Sequence, residues 1–396
     1  MFSFVNMKKN RFQDLLKDEW YEAIKLAEIS GRYINNDNLK KHLDHFSSEI
    51  DIKVIGNSVA GEPIRLFKIG SGKKKILMWS QMHGNESTTT KAVLDLCNAF
   101  IKEIDHEIFQ EILSKCSLFI IPILNPDGAR AYTRVNANQV DLNRDMQKLS
   151  QPESSILKDT YNEILPDFCL NLHDQRTIFS AGARRNPATL SFLTPSKDPK
   201  RSIDESRKIS MGLIAGIATD LREDLPGMIG RYDDAFNINC AGDTFQSLST
   251  PTLLFEAGHF PGDYQREKTR KYVFKALISA LYRISSFTEK DISDDFEDYF
   301  SIPENKKLFK DIIIREAQVE GEIVDVAIHY SEKLVKGKIE FEPILEKKAS
   351  FISGFGHREI MANKEELKIP GLSAPLENVV VNKIILKNEE LVFKEG

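Results

Sequence analysis

A histidine and a glutamate stand three residues apart in "WSQMHGNESTTTKAV", residues 79–93. The apolar run "KKILMWSQM" precedes them and a segment with helical character follows, so His83 and Glu86 lie where a buried strand ends. An imidazole nitrogen and a carboxylate oxygen on one loop can turn onto one ion, and these ligand types suit zinc. An isolated pair of this kind is more often a strand-end histidine and an acidic residue in a first helical turn.

A second histidine and a second glutamate also end apolar runs. His173 follows "DFCLNL" and supplies the third ligand of a set with two histidines and one carboxylate, which leaves a position free for water. Glu256 ends the run "TPTLLFE" and is the natural general base beside such a site, although alone it would be read as a carboxylate in a surface salt bridge. The four residues together predict a catalytic metal centre.

Three arginines lie between the candidate ligands, in "NPDGARAYTRVNANQVDLNRD" at residues 125–145. Arg130, Arg134 and Arg144 could each pair with a carboxylate through two hydrogen bonds. The alternative is a solvated polar loop whose Asn and Gly residues serve turns. Because this loop falls between metal ligands in an otherwise apolar region, we expect it to bind the terminal carboxylate of the substrate.

The elements that must position these side chains are short apolar runs separated by helical segments. The runs are "KKILMWSQM", "CSLFIIPIL", "DFCLNLH" and "TPTLLFEAG", and the helical segments include 87–104 and 263–286. This pattern predicts an α/β fold with a mixed, largely parallel central sheet flanked by helices. Open sheets of this class bind ligands at the carboxyl ends of their strands, where His83, His173 and Glu256 stand.

The composition divides the chain into three parts. Amphipathic segments such as "KDEWYEAIKLAEIS" predict a helical N-terminal extension over residues 1–50. Residues 51–288, which open with a predicted hairpin, form the predicted catalytic domain. The acidic linker "TEKDISDDFEDYF" then leads into alternating segments, which predict a small β-rich accessory domain over residues 289–396.

Composition and charge exclude several functional classes. The chain has 396 residues, 41% of them hydrophobic, and a net charge of -5, so it offers no basic field for nucleic acid. No window holds the ~18 consecutive apolar residues of a membrane helix. The start "MFSFVNMKKNRF" lacks the pattern of a signal peptide, so we expect a cytoplasmic location.

The four cysteines, spaced far apart, are expected to be reduced and buried: Cys97, Cys116, Cys169 and Cys240.

Taken in order, several motifs resemble one family. "HGNE", "NPDG", "TRVNANQVDLNRD", a histidine after a hydrophobic strand, and "LFEAG" are similar to the zinc carboxypeptidases of the carboxypeptidase A type. The resemblance covers roughly residues 50–288. It implies a zinc carboxypeptidase-like fold and one Zn2+ ion per chain.

The resemblance assigns roles around the metal. It implies that His83, Glu86 and His173 are the zinc ligands. Glu256 matches the glutamate that activates the zinc-bound water, and Asp141 matches the outer carboxylate that orients the first zinc histidine, in keeping with the support that metal ligands need.

The resemblance also assigns roles toward the substrate. Arg134 matches the arginine that polarises the scissile carbonyl, and Asn143 with Arg144 matches the pair that binds the terminal carboxylate. Tyr232, in "GRYDDAFNINC", is the candidate for the tyrosine that contacts the substrate, although a packed core residue is the alternative. The pocket for the terminal side chain is expected near residues 240–246.

One segment departs from the family. Members commonly carry a serine after the second zinc histidine, whereas this chain continues as "HDQRTIF" and places Asp174, Gln175 and Arg176 there. The contacts that this segment makes with the substrate therefore cannot be inferred from the family.

The predicted function is that of a metallocarboxypeptidase that hydrolyses the C-terminal peptide bond with zinc-activated water. Its partner would be a peptide or small amide with a free carboxylate, and the sequence does not indicate an oligomeric state. One alternative is a zinc amidohydrolase or deacylase acting on N-acyl amino acids or γ-D-glutamyl cell-wall peptides. Another is a non-catalytic peptide-binding protein whose β-rich region is an interaction module.

Overall fold

The computed structural model describes residues 12–288, 294–370, 379–381, 383–386 and 389–393. Most of the N-terminal stretch that was read for a signal peptide and part of the predicted acidic linker therefore lie outside the described residues. Strands β1 to β9 are Asp51–Asn57, Pro63–Ile69, Lys74–Ser80, Cys116–Ile121, Phe168–Asp174, Phe179–Ala181, Leu190–Leu193, Ile229–Arg231 and Thr252–Ala257. Helices α1 to α10 are Asp18–Ile24, Asn36–Lys40, Leu43–Phe46, Thr88–Lys102, Glu107–Lys115, Pro126–Ala131, Pro152–Ile164, Glu205–Asp220, Ala241–Ser247 and Glu267–Ser286.

One eight-stranded sheet, in the order β1-β2-β4-β3-β5-β9-β7-β8, forms the centre of the molecule. The four strands β4, β3, β5 and β9 run parallel to one another. The hairpin β1–β2 joins them in antiparallel fashion, and β7 pairs antiparallel with β9. The predicted mixed, largely parallel α/β sheet is confirmed, and the four parallel strands are the four apolar runs read from the sequence.

Helices cover both faces of this sheet because its strands are apolar on both faces. In β3, Ile76 and Met78 belong to a core shared with α4, α5, α8 and α10. Leu77 and Trp79 belong to a second core shared with α7 and α9. Successive side chains of a strand point to opposite faces, so a continuous apolar run supplies both cores.

Hydrogen bonds to a buried ion pair between α4 and α10 help to hold the N-terminal helices against the sheet domain. The guanidinium of Arg270 in α10 donates to both oxygens of Asp95 in α4, at 2.6 and 2.7 Å. Tyr21 and the backbone N–H of Leu26 donate to the same carboxylate, at 3.0 and 2.8 Å. The predicted helical preface is confirmed, whereas the predicted domain boundaries near residues 50 and 288 stay predictions.

Beyond a 3-10 segment at Asp294–Ser301, the described part of the C-terminal region is built from strands. Strands β10 to β18 are Asn305–Lys307, Phe309–Val319, Glu322–Val335, Lys338–Ala349, Phe355–Met361, Leu367–Lys368, Val379–Val380, Lys383–Leu386 and Glu389–Val392. They form a five-stranded sheet, β14-β11-β12-β13-β16, and a three-stranded sheet, β15-β17-β18. The exception is β10, which pairs with β6 and so joins this C-terminal region to the part of the chain that forms the central sheet.

The cysteines are free thiols, as expected, and three of them are buried: Cys97, Cys116 and Cys169. Cys240 is only half-buried, so the expectation of burial was wrong for this residue. Among the helices of the described residues, none is both long enough and apolar enough to cross a membrane.

We predict that Arg270→Met will lower the free energy of unfolding by about 3–5 kcal/mol, because it leaves the Asp95 carboxylate buried without its countercharge. The neighbouring Lys271→Met is the matched control: it removes an ion pair with Asp18, whose side chain is 53% exposed, and should cost less than about 1 kcal/mol. Urea unfolding of the three proteins measures both values. Equal losses in the two variants would contradict the assigned role of the buried pair.

Candidate active site

Three parallel strands bring the candidate side chains to one edge of the sheet. In the β5–β9 ladder, His173 and Glu256 are direct register partners. The β3–β5 ladder ends at Ser80 opposite Leu172, so the loop after β3 leaves the sheet beside His173. The carboxyl ends of parallel strands share one edge, which is why these residues meet although up to 173 positions separate them in the sequence.

Close backbone packing fixes the conformation of the loop after β3. A Cβ atom on Gly84 would lie 1.9 Å from the carbonyl carbon of Gly128, so only glycine fits there. The side chain of Gln81 donates to the carbonyl of Gly84 at 2.8 Å. Asn125 caps α6 by accepting the Gly128 N–H at 2.9 Å. The "NPDG" motif is therefore a support for the "HGNE" loop.

The centre of the site is a carboxylate shared by two histidines. Nδ1 of His83 lies 2.9 Å from Oε1 of Glu86, and Nδ1 of His173 lies 2.9 Å from Oε2 of the same carboxylate. One ligand atom from each of the three residues lies within 4.8 Å of the others. Both imidazoles are buried, with 2% and 3% of their surfaces exposed. This donor set and its spacing fit a zinc ion.

The protonation states also favour a cation. Burial raises the pKa of the Glu86 carboxyl, but the two histidines outweigh burial and hold it well below its usual range. Burial lowers the pKa of His173 below its usual value. Burial lowers the pKa of His83 as well, but the carboxylates of Glu86 and Asp141 raise it above the usual value. A charged carboxylate and a neutral imidazole are the forms that bind metal, and His83 would release its proton on binding.

Asp141 and Arg134, both in the polar segment 125–145, lie next to this cluster. Oδ1 of Asp141 lies 3.0 Å from Nε2 of His83, as expected for a carboxylate that orients a ligand histidine. Arg134 donates to the other oxygen of Asp141 at 3.0 Å and to Glu86 at 3.3 Å. The Arg134 side chain is nevertheless 46% exposed, so the guanidinium also faces the cavity.

Asn143 and Arg144 lie on the short 3-10 segment Leu142–Arg144. Oδ1 of Asn143 accepts the N–H of Ala241, which holds the segment against the start of α9. Arg144 donates to the carbonyl of Asn143 at 2.6 Å and to Sγ of Cys240 at 3.1 Å. Among the described residues no carboxylate forms an ion pair with Arg144, so its charge remains available to a ligand.

Glu256 is partly buried, and its carboxylate has one buried, unsatisfied oxygen. Within the described part of the chain, Oε2 of Glu256 has no hydrogen-bond partner. Burial, followed by the negative charges of Glu86 and Asp174, raises the pKa of Glu256 well above its usual value. A buried, unpaired acceptor is costly, so its position beside the metal-binding cluster indicates a chemical role rather than a structural one.

A cavity of about 970 Å³ joins these groups. Of the residues to which the family resemblance assigns a role, all except Asp141 line it: His83, Glu86, Arg134, Asn143, Arg144, His173, Tyr232 and Glu256. Tyr232 contacts the ring of Phe179 edge to face at a centroid distance of 5.1 Å.

One arginine and one segment that the sequence pointed to lie outside this cavity. Arg130 forms ion pairs with Asp37 and Glu62, at 2.8 and 2.6 Å, and does not line the cavity, so its predicted carboxylate site was wrong. Residues 240–246, where the pocket for the terminal side chain was expected, do not line the cavity either. Asp243 of that segment accepts the N–H of Asn237 at 3.2 Å.

The unusual "HDQR" segment has three separate functions. Asp174 accepts the N–H groups of Thr88 and Thr89 at the start of α4, at 2.8 and 3.2 Å. Gln175 donates to the carbonyl of Ala188 at 2.7 Å. Arg176 lines the cavity and is exposed. Asp174 and Gln175 also line the cavity, but both are buried and hydrogen-bonded to the protein, whereas Arg176 is exposed.

Sequence reasoning missed one wall of the cavity. Residues of the C-terminal strands line it, including Lys307, Phe309, Lys310, Tyr330 and Glu332. The alternating pattern of these segments predicted strands but carried no signal of where those strands would dock.

Comparison with known proteins confirms the resemblance read from the motifs. A family model for zinc carboxypeptidases matches residues 37–166, a segment that contains His83 and Glu86 and ends before His173 and Glu256. Carboxypeptidase SOL1 of Arabidopsis thaliana is 29% identical over 167 residues, which are 37% of this chain and 34% of the relative. The chain thus spans about a third of the length of the first curated relatives that it matches.

Two further matches bear on the choice of function and on the fold. Gamma-D-glutamyl-L-diamino acid endopeptidase 1 of Lysinibacillus sphaericus is 32% identical over 80 residues, which are 19% of this chain and 20% of that protein. The crystal structure of carboxypeptidase A from Helicoverpa armigera superposes with a TM-score of 0.54, over 72% of this chain and 82% of that chain, at 15% identity. This structural likeness shows a shared fold.

We predict that the purified protein will bind about one zinc ion per chain and that His173→Ala will lose this bound zinc. Asp141→Asn should weaken zinc binding by about 10–100-fold, because the amide orients His83 less firmly. Plasma mass spectrometry and titration against a competing chelator measure the two effects. His106→Asn is the control, since His106 lies outside the cavity and caps α5. Full zinc content in His173→Ala would contradict the assigned ligand set.

Proposed function

We propose that this protein is a zinc-dependent metallocarboxypeptidase that removes the C-terminal residue of peptides. The observation that carries the proposal is the register pairing of His173 with Glu256, which sets a buried, unpaired carboxylate oxygen beside the metal-binding cluster. The family resemblance supports the reaction class. The division into a catalytic region over 51–288 and an accessory region over 289–396 is part of the same proposal.

His83, Glu86 and His173 would hold the metal. When bound, zinc supplies Lewis-acid polarisation of a carbonyl and increases the acidity of water. The two imidazoles and one carboxylate leave coordination positions for a substrate and for water.

Glu256 is the proposed general base. Its raised pKa makes it a better proton acceptor than an ordinary carboxylate. It would take the proton of the attacking water and pass it to the nitrogen of the leaving amine. Arg134, half exposed beside the cluster, would stabilise the negative charge that develops on the carbonyl oxygen.

Arg144 is the proposed determinant of exopeptidase action. It lines the cavity without a carboxylate partner in the described structure, and together with Asn143 it would bind the terminal carboxylate of the substrate. The main-chain carboxylate of a chain end lies one residue from the last peptide bond, so a substrate bound through it would release one residue. Tyr232, which lines the same cavity, would contact the bound end of the chain.

An amidohydrolase acting on small N-acyl amino acids or on γ-D-glutamyl peptides is the second candidate. The likeness to an endopeptidase named for the gamma-D-glutamyl bond favours it, although that match covers only 19% of the chain. A non-catalytic binding protein is less well supported, because the ligand set and the unpaired Glu256 oxygen are both present.

We predict that Glu256→Gln will lower kcat for peptide hydrolysis by at least about 100-fold, because an amide cannot accept the proton of water. Glu223→Gln is the matched control, since Glu223 is exposed and lies outside the cavity. Steady-state kinetics of the zinc-loaded proteins on a mixture of short peptides measure the change. A fully active Glu256→Gln protein would exclude the assigned base.

We also predict that amidation of the peptide C-terminus will abolish turnover, because it removes the charge that Arg144 would bind. An acylase that does not use the terminal carboxylate would cleave both forms. Parallel assays of free peptides, amidated peptides and N-acyl amino acids separate the two candidates. Equal rates on free and amidated peptides would rule out carboxypeptidase action.

A further inference from the structure

The C-terminal strands form one wall of the candidate active site. Strand β10 pairs with β6, so that Lys307 lies opposite Phe179 in the ladder. Two residues further on, the N–H of Phe309 donates to the carbonyl of Ile178 at 3.0 Å. These contacts place Lys307 against the segment that follows His173, and both Lys307 and Arg176 line the cavity.

This wall is held in place by buried polar contacts. Arg32, whose side chain is 4% exposed, pairs with Glu332 of β12 at 3.0 Å. Tyr132 donates a hydrogen bond to the same carboxylate, and Tyr264 donates to Asp311 of β11 at 2.9 Å. Loss of one partner in such a buried contact is costly, so the wall is an integral part of the cavity.

The acidic side chains of this wall have partners on the protein, whereas two basic side chains near it have none among the described residues. Its carboxylates have partners on the protein: Glu332 has Arg32, Asp311 has Tyr264, and Glu346 has Lys310. In contrast, neither Arg176 nor Lys307 has an ion pair or a side-chain hydrogen bond to any described residue. Two cations therefore face the cavity with their charges uncommitted.

These two cations lie on different elements from the proposed terminal-carboxylate site. Arg144 stands beside Cys240 at the start of α9. Arg176 lies at the end of β5 and Lys307 on the β6–β10 ribbon, next to Phe179 and its neighbour Tyr232. A substrate whose terminal carboxylate occupies Arg144 and whose scissile bond lies at the metal cluster would extend its acyl part toward the ribbon.

We infer that Arg176 and Lys307 bind a carboxylate in the acyl part of the substrate. The preferred substrates are then short amides with an acidic group on the acyl side of the scissile bond and a free carboxylate on the other side. This inference rests on the proposed hydrolase function of the same site. A charge-assisted hydrogen bond of this kind is strong enough to favour an acidic group over its amide by about 10-fold or more.

The test compares N-acetyl-Glu-Xaa with N-acetyl-Gln-Xaa, where Xaa is the C-terminal residue that the wild-type enzyme releases fastest. We predict that kcat/KM will be at least about 10-fold higher for the Glu substrate. Arg176→Gln and Lys307→Gln should each reduce this ratio by lowering kcat/KM for the Glu substrate more than for the Gln substrate, and Arg176→Lys should retain part of the preference. Lys306→Gln is the matched control, because Lys306 is the neighbouring residue of β10 but does not line the cavity.

Calorimetric binding to Glu256→Gln separates this inference from the proposed function. The inference predicts that the Glu dipeptide binds this variant more tightly than the Gln dipeptide and that Arg176→Gln in the same background removes the difference. This result would support carboxylate binding by Arg176 and Lys307 even when no hydrolysis is found. Equal binding of the two dipeptides, or an unchanged preference in the double variant of Arg176 and Lys307, would overturn the inference and leave the proposed hydrolysis untouched.

Discussion

The parallel pairing of β3, β5 and β9 is the constraint on which the site depends. Parallel strands present their carboxyl ends at one edge, so three loops from distant parts of the chain converge there. The ladder fixes His173 beside Glu256 without any help from the loops. The loop after β3 then needs only a close turn, which Gly84 permits, to bring His83 and Glu86 to the same place.

The buried Glu86 carboxylate determines the electrostatics of the site. It accepts from His173 and from the backbone N–H of Asp174, and it lies beside His83 and Arg134. A buried carboxylate is stable only with such partners. Burial raises the pKa of Glu256, and the negative charge of Glu86 raises it further, so Glu86 both attracts a cation and affects the proposed base. The ion pair between Arg270 and Asp95, away from the cavity, secures the helices that enclose this arrangement.

Much of the catalytic region could be predicted from the sequence because its signals are local. Uniform apolar runs predict strands buried on both faces, and a histidine or glutamate at the end of three of the four runs lies at the edge where ligands bind. The C-terminal wall could not be predicted in this way. Its position depends on the pairing of Lys307 with Phe179, a contact between residues 128 positions apart that no periodicity records. Arg130 was grouped with the other arginines because spacing alone does not reveal its partners Asp37 and Glu62.

The most direct test of the proposed chemistry is digestion of a library of short peptides in H2(18O) by the zinc-loaded protein, followed by mass spectrometry. A carboxypeptidase of this design should release single amino acids from free C-termini and place one 18O atom in each new terminal carboxylate. Failure to release any terminal residue would contradict the proposed carboxypeptidase function. Cleavage at internal bonds without regard to the chain end would also contradict it.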